Sequence, residues 1–66
     1  MELNEAMKAR RDFLDITQQD LAELSEVSLS TVKDIERGNG NPSLSTVAKL
    51  LDVLGLEMDY RVRRTI

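Results

Sequence analysis

The chain has 66 residues, of which 41% are hydrophobic and 32% are charged, a composition typical of one small globular domain and not of a disordered chain. It contains neither cysteine nor histidine, which excludes disulfides and leaves only carboxylates to hold zinc, so we expect no metal and no cofactor. The formal net charge of −3 means that the chain as a whole lacks the positive charge that nucleic-acid-binding domains often carry.

Apolar periodicity and capping residues predict the first three helices. Apolar residues recur at three- and four-residue spacings in residues 2–13, which indicates a first helix. Its apolar stripe consists of Leu3, Ala6, Met7, Ala9 and Phe13. Thr17 suits the N-cap of a short second helix over residues 18–25, because its hydroxyl can accept from a backbone amide of the first turn. Ser28 follows so soon that the connection must be a tight turn, and it caps a third helix over residues 29–37.

Residues 38–42 read Gly-Asn-Gly-Asn-Pro and form the strongest break in the chain. The first glycine fits the left-handed position after a helix, and the proline cannot continue one. Ser43 then caps a fourth helix over residues 44–54, and Gly55 ends it. We expect the apolar stripes of all four helices to form the core. Their later members are Leu21, Ala22, Leu24, Val32, Ile35, Leu44, Val47, Ala48, Leu51 and Leu54.

After Gly55 the apolar period falls to two residues, which predicts a strand. Its apolar positions are Leu56, Met58, Tyr60 and Val62. A single strand has no partner in an otherwise helical chain, so an identical strand from a second copy is the simplest source of its hydrogen bonds. Chains of this size seldom bury a sufficient core alone, which also favours a homodimer.

The sequence lacks the signals of a membrane protein, a secreted protein and an enzyme. No apolar run is long enough to span a bilayer, and the first residues lack the basic and apolar segments of a secretory signal. Since the absence of cysteine also agrees with a reducing compartment, we expect a cytoplasmic protein with no membrane partner. There is no glycine-rich phosphate loop and no paired-carboxylate signature, so we expect no catalytic residues and no enzyme.

Five short motifs follow one another along the chain. They are TQQDLA at 17–22, VSLSTV at 27–32, IERG at 35–38, NPSL at 41–44 and LG at 54–55. In this order and at these spacings they resemble the Cro/cI-type helix-turn-helix family, also called the XRE family. The resemblance covers residues 3–56 and implies a mainly α, lambda-repressor-like bundle of four short helices, with the helix-turn-helix motif at 18–37. The strand at 57–64 resembles the dimerising strand of small antitoxins of the HipB type.

The resemblance implies that residues at matching positions bind double-stranded DNA. Those placed to reach base edges are Leu29, Ser30, Lys33 and Asp34. Those placed to contact phosphates are Thr17, Gln18, Asn39 and Asn41. Arg11 and Glu36 match an ion pair that ties the first helix to the third. Glu26 departs from the family, which usually has glycine in this turn; a positive φ there would cost about 1–3 kcal/mol unless the turn differs locally.

Each of these assignments has a structural alternative. Gln18 fits an ordinary solvated helix start, Leu29 fits a core or dimer contact, and Lys33 with Asp34 fits an exposed helix face. Three functions follow from the same residues. The first is a repressor-like transcription regulator of a prokaryote or phage, acting on a DNA operator. The second is an antitoxin that also binds a toxin protein, and the third is an interaction module without DNA binding, which the acidic balance and Asp34 would suit.

Overall fold

The computed structural model describes residues 2–59, which contain four helices: α1 (Leu3–Leu14), α2 (Gln18–Ser25), α3 (Leu29–Glu36) and α4 (Leu44–Leu54). The prediction of four helices is confirmed. Predicted and observed ends agree at α2 and α4 and differ by one residue at both ends of α1 and at the end of α3. In this part of the chain the longest helix has 12 residues, and none has the length and apolar character needed to cross a membrane.

Side-chain hydroxyls cap the start of three helices. Thr17, Ser28 and Ser43 precede α2, α3 and α4, and each accepts a hydrogen bond of 2.9 to 3.2 Å from the backbone amide three residues later. At α2 the Asp20 carboxylate also accepts from the Thr17 amide, which completes a capping box. These bonds satisfy amides that lack an acceptor within the helix, so the capping residue determines where each of these three helices begins.

All four helices end in the same way, with a left-handed residue followed by a residue whose amide bonds back to the helix. The left-handed residues are Asp15, Glu26, Gly38 and Gly55. The residues that follow them are Ile16, Val27, Asn39 and Leu56, and each donates to the carbonyl five positions earlier at 2.9 to 3.2 Å. This is the Schellman arrangement. Glu26 has a φ of 61°, so the turn keeps the left-handed conformation although glycine is absent from it.

The core lies where the four helices meet. Met7, Leu21, Val32, Leu50 and Leu54 have no exposed surface, and together they represent every helix. The residues that follow the left-handed positions of α1, α2 and α4 pack against this core from outside, which ties each helix end to the bundle.

Five residues predicted for the core are exposed: the small Ala9 and Ala48, and the large Phe13 at 75%, Leu24 at 63% and Leu44 at 69%. In α2 the buried residues are Leu21, Ala22 and Ser25, and Leu24 lies about 100° around the helix from the centre of that face. The expectation was wrong because apolar spacing gives the direction of a stripe but not its width. The Arg10 guanidinium lies over one face of the Phe13 ring, 4.9 Å from the ring centre, and leaves most of the side chain exposed.

The predicted strand is not present in residues 56–59, which have no regular secondary structure. Leu56 donates its amide to the Leu51 carbonyl at the end of α4 and packs half-buried against the core, so it completes a helix cap instead of starting a strand. Met58 is 38% exposed. A strand needs a second strand to form a hydrogen-bonded ladder, and residues 2–59 contain no strand. Tyr60 and Val62 lie outside the described residues.

Candidate nucleic-acid interface

One face of α3 is buried and the opposite face is open. Val32, Ile35 and Glu36 point into the bundle. Ser30, Lys33, Asp34 and Arg37 recur at spacings of three and four residues on the other side. At about 100° per residue they fall within an arc of roughly 100°. Ser30, Lys33 and Arg37 are exposed and Asp34 is half-buried. We call these four residues the α3 outer face.

Leu29 lies apart from the α3 outer face. It is half-buried and packs against the core at the first position of α3. The structure therefore brings together three of the four residues predicted to contact bases, namely Ser30, Lys33 and Asp34, and places Leu29 on the flank of the helix. Only the part of the Leu29 side chain that stays outside the core is available for an apolar contact, for example with a thymine methyl group.

Asp34 and Arg37 form an ion pair on the α3 outer face. The Arg37 Nη2 atom donates to the Asp34 Oδ1 atom across one turn of the helix. Both side chains remain largely solvated, with 64% of Arg37 and 49% of Asp34 exposed. The negative charge of Asp34, which would repel a phosphate backbone, is therefore balanced within the same face.

The start of α2 is held by two sets of hydrogen bonds. The Thr17 hydroxyl accepts from the Asp20 amide at 2.9 Å, and the Thr17 amide donates to the Asp20 carboxylate at 2.9 Å. The Gln18 side chain turns towards α3, where its Nε2 atom donates to Glu36 Oε1 at 3.1 Å. A side-chain amide carries two N–H groups, so one remains to donate outward. The first backbone amides of α2 also have no acceptor within the helix, which makes this end attractive to an anion.

A buried ion pair joins α1 to α3. Arg11 donates to both carboxylate oxygens of Glu36, from Nε and from Nη2 at 2.9 Å each, and its Nη1 atom donates to the Ile16 carbonyl at 3.1 Å. The exposed fraction is 16% for the Arg11 side chain and 1% for the Glu36 side chain. The hydrogen bonds to Glu36 raise the pKa of the Arg11 guanidinium, against an opposing effect of desolvation. With Gln18 included, this carboxylate links α1, α2 and α3.

The loop after α3 runs beside the α3 outer face. Asn39 and Asn41 are exposed, and the Asn39 amide donates to the Asp34 carbonyl at 2.9 Å. A Cβ atom on Gly40 would lie 3.8 Å from the Asp34 Cβ atom, so the loop backbone lies close to the helix. An open groove of about 300 Å³ separates α3 from α4 here, and its lining includes Asp34 and Asn41. The two asparagines therefore lie on the same side of the molecule as Asp34.

The amino-acid sequence matches a protein family described as helix-turn-helix over residues 7–61. The chain belongs to the helix-turn-helix family. A relative in Bacillus phage phi105, described as an immunity repressor protein, is 40% identical over 58 residues. That match covers 88% of this chain and 40% of the relative, so the chain spans less than half of the relative's length.

In this helix-turn-helix chain, sequence reasoning missed two features of the site. Arg37 was not predicted as a site residue, although it follows Lys33 by four positions and Ser30 by seven, which places it on the same face. The bond between Gln18 and Glu36 was also missed, because residues 18 positions apart in the chain give no local signal of contact.

Proposed function

We propose that this chain is a non-enzymatic, repressor-like transcription regulator that binds double-stranded DNA in a sequence-specific manner through α3. The observation that carries the proposal is the α3 outer face, a polar helix surface on which Ser30, Lys33 and Arg37 are exposed. An α-helix fits the major groove, where each base pair presents a distinct pattern of donors and acceptors. The family and the phage repressor relative support the same function. Residues 3–56 would form the DNA-binding unit.

The proposed docking places side chains of three chemistries against base edges. Ser30 can donate or accept, Lys33 can donate to guanine, and Asp34 can accept from the cytosine amine. The start of α2, with Thr17 and Gln18, would face phosphates on one side of the groove, and the loop with Asn39 and Asn41 would face them on the other.

The bonds around Glu36 support this docking because they fix α2 relative to α3. Phosphate contacts set the register and orientation of a protein on the duplex, and base contacts then read the sequence. A reading helix that moved independently of the phosphate-binding end would lose that register. The buried carboxylate bonded to Arg11 and Gln18 holds both ends of the proposed interface in one rigid unit.

The charges predict modest affinity with a shallow dependence on salt. Lys33 is exposed on the α3 outer face, whereas Arg37 is balanced by Asp34. Each neutralised phosphate contributes about −0.9 to the slope of log K against log salt concentration. We therefore expect a slope nearer to that of a few phosphate contacts than to the slope of about −10 of a repressor that neutralises many phosphates.

We further propose that two copies bind together. Alternation of apolar residues in 57–64 favours pairing of this segment with its counterpart. A groove of about 400 Å³ is lined by residues of α4 and by residues 56–58, including Leu51 and Met58. Two reading helices about 34 Å apart would meet successive major grooves on one face of the duplex. Sedimentation equilibrium tests this, since a monomer at micromolar concentration would contradict it. The toxin partner stays a prediction, which the genes beside this one would test.

The test of DNA binding is selection of duplexes from a random pool at low salt, followed by fluorescence anisotropy with the selected sequence. Lys33→Glu should weaken binding at least tenfold, because it places a negative charge in the groove. Lys49→Glu makes the same change at an exposed position on α4 and should weaken binding less than threefold. Failure of the folded protein to enrich any duplex, or an equal loss in both variants, would contradict the proposal.

A further inference from the structure

We infer that Arg37 is a DNA-contacting residue whose ion pair with Asp34 opens on binding, so that the guanidinium passes to a phosphate and the freed carboxylate reads a base. The inference rests on the proposed DNA binding. It assigns a DNA contact to Arg37, for which the resemblance to the family implied none. The ion pair would then act as a specificity device, closed in the free protein and open on the correct duplex.

The position of Arg37 supports the contact. It directly follows the last residue of α3, seven positions after Ser30 and four after Lys33, and 64% of its side chain is exposed. A helix that lies in the major groove has a phosphate backbone along each side, and a long guanidinium side chain at the end of the outer face can reach one of them. A guanidinium also matches phosphate geometry with two parallel hydrogen bonds.

The ion pair is weak enough to exchange. Exposed ion pairs across one helical turn contribute little to stability, because both charges are well solvated and the side chains lose freedom on pairing. An arginine–phosphate contact in a groove is less solvated and is accompanied by release of counterions from the duplex. Exchange of the Asp34 partner for a phosphate is therefore favourable for Arg37 once the helix is docked.

The cost of the exchange falls on Asp34, and this cost depends on the base. An ionised carboxylate can only accept hydrogen bonds. In the major groove, cytosine and adenine offer an amino donor, whereas guanine and thymine offer acceptors at the corresponding edge. Opposite a donor the freed carboxylate gains a partner, and opposite an acceptor it is left unpaired and repelled. While the ion pair stays closed, the charges of Asp34 and Arg37 compensate each other, so the α3 outer face can approach a duplex of any sequence.

The test is a double-mutant cycle with Asp34→Ala, Arg37→Ala and the double variant, measured against a selected and a scrambled duplex over a series of salt concentrations. Arg37→Ala should weaken binding to the selected duplex and reduce the salt slope by about 0.9, the loss of one phosphate contact. The same reduction should appear in the Asp34→Ala background. Asp34→Ala should strengthen binding to the scrambled duplex and lower the ratio of selected to scrambled affinity roughly 5- to 150-fold.

If Arg37 serves only to neutralise Asp34, Arg37→Ala will leave the salt slope unchanged in the Asp34→Ala background, and the inference is overturned. Arg37→Lys keeps the charge and should keep the slope, while Lys49→Ala on α4 should leave both slope and ratio unchanged. If the wild-type protein binds a duplex and Arg37→Ala leaves its salt slope unchanged, this inference alone is contradicted. If the wild-type protein binds no duplex, the proposed function is contradicted as well.

Discussion

Replacement of Arg11 by alanine should destabilise the fold more than any surface charge change. Arg11 supplies two of the three hydrogen bonds to the Glu36 carboxylate, the third coming from Gln18, and Glu36 is 1% exposed. Removing one partner of a buried ion pair leaves an uncompensated charge and costs about 3–5 kcal/mol. A domain of 66 residues has a free energy of unfolding of roughly 3–10 kcal/mol, at about 0.05–0.15 kcal/mol per residue. The Arg11→Ala variant should therefore lose at least about a third of its free energy of unfolding, and at the lower end of the range it should be unfolded at 25 °C.

Arg10 provides the matched control for this experiment. It is the neighbouring residue, donates from Nε to the Leu54 carbonyl at 2.9 Å and covers Phe13, but it holds no buried charge. Arg10→Ala should cost about 0.5–1.5 kcal/mol, the worth of an ordinary hydrogen bond. Urea denaturation followed by circular dichroism measures both variants. Losses that agree within 1 kcal/mol would refute the reasoning that the Glu36 charge depends on Arg11.

Three further predictions concern the stability of the fold and use the same urea assay. Glu26→Gly should raise the free energy of unfolding by about 1 kcal/mol because it relieves a φ of 61°. Glu23→Gly, inside α2, should lower it by about 1 kcal/mol. A lower free energy of unfolding in Glu26→Gly would contradict the left-handed turn. Leu54→Ala, at a fully buried position, should lower the free energy of unfolding by about 2–5 kcal/mol. Leu44→Ala, at 69% exposure, should lower it by less than about 0.5 kcal/mol. Similar losses in the two variants would contradict the position of the core. Thr17→Ala should cost about 1 kcal/mol through loss of the capping box, and an unchanged midpoint would show that the cap contributes nothing.

Helix boundaries could be predicted from the sequence because the groups that fix them are local. The hydroxyls at Thr17, Ser28 and Ser43 bond to amides three residues away, and Gly38 and Gly55 take the left-handed conformation that closes a helix. Each of these interactions needs only a short stretch of chain, so the residue type in its place is enough to indicate it.

What the sequence could not give depends on contacts between distant segments. Whether Leu24 is buried depends on how widely the neighbouring helices cover α2, and the apolar spacing does not contain that width. The bond from Gln18 to Glu36 arises only when α2 and α3 are packed, and it changes how Gln18 can meet a phosphate. The pairing of Asp34 with Arg37 was within reach of a local rule, since the residues are one turn apart.

The position of the proposed interface also follows from the fold more than from composition. The net charge of −3 argues against a DNA-binding surface when it is averaged over the chain. The α3 outer face, however, carries two cationic side chains, Lys33 and Arg37, and one carboxylate, Asp34. The local balance, and not the total, is what a duplex meets in the groove.

The claim that α3 enters the major groove is tested most directly by nuclear magnetic resonance, with the ¹⁵N-labelled chain titrated with a selected duplex. The largest changes in amide chemical shift should fall in residues 28–37, with a second group at the start of α2 and in the loop at 39–41. Changes centred on the exposed sides of α1 and α4, with the amides of α3 unaffected, would contradict the account.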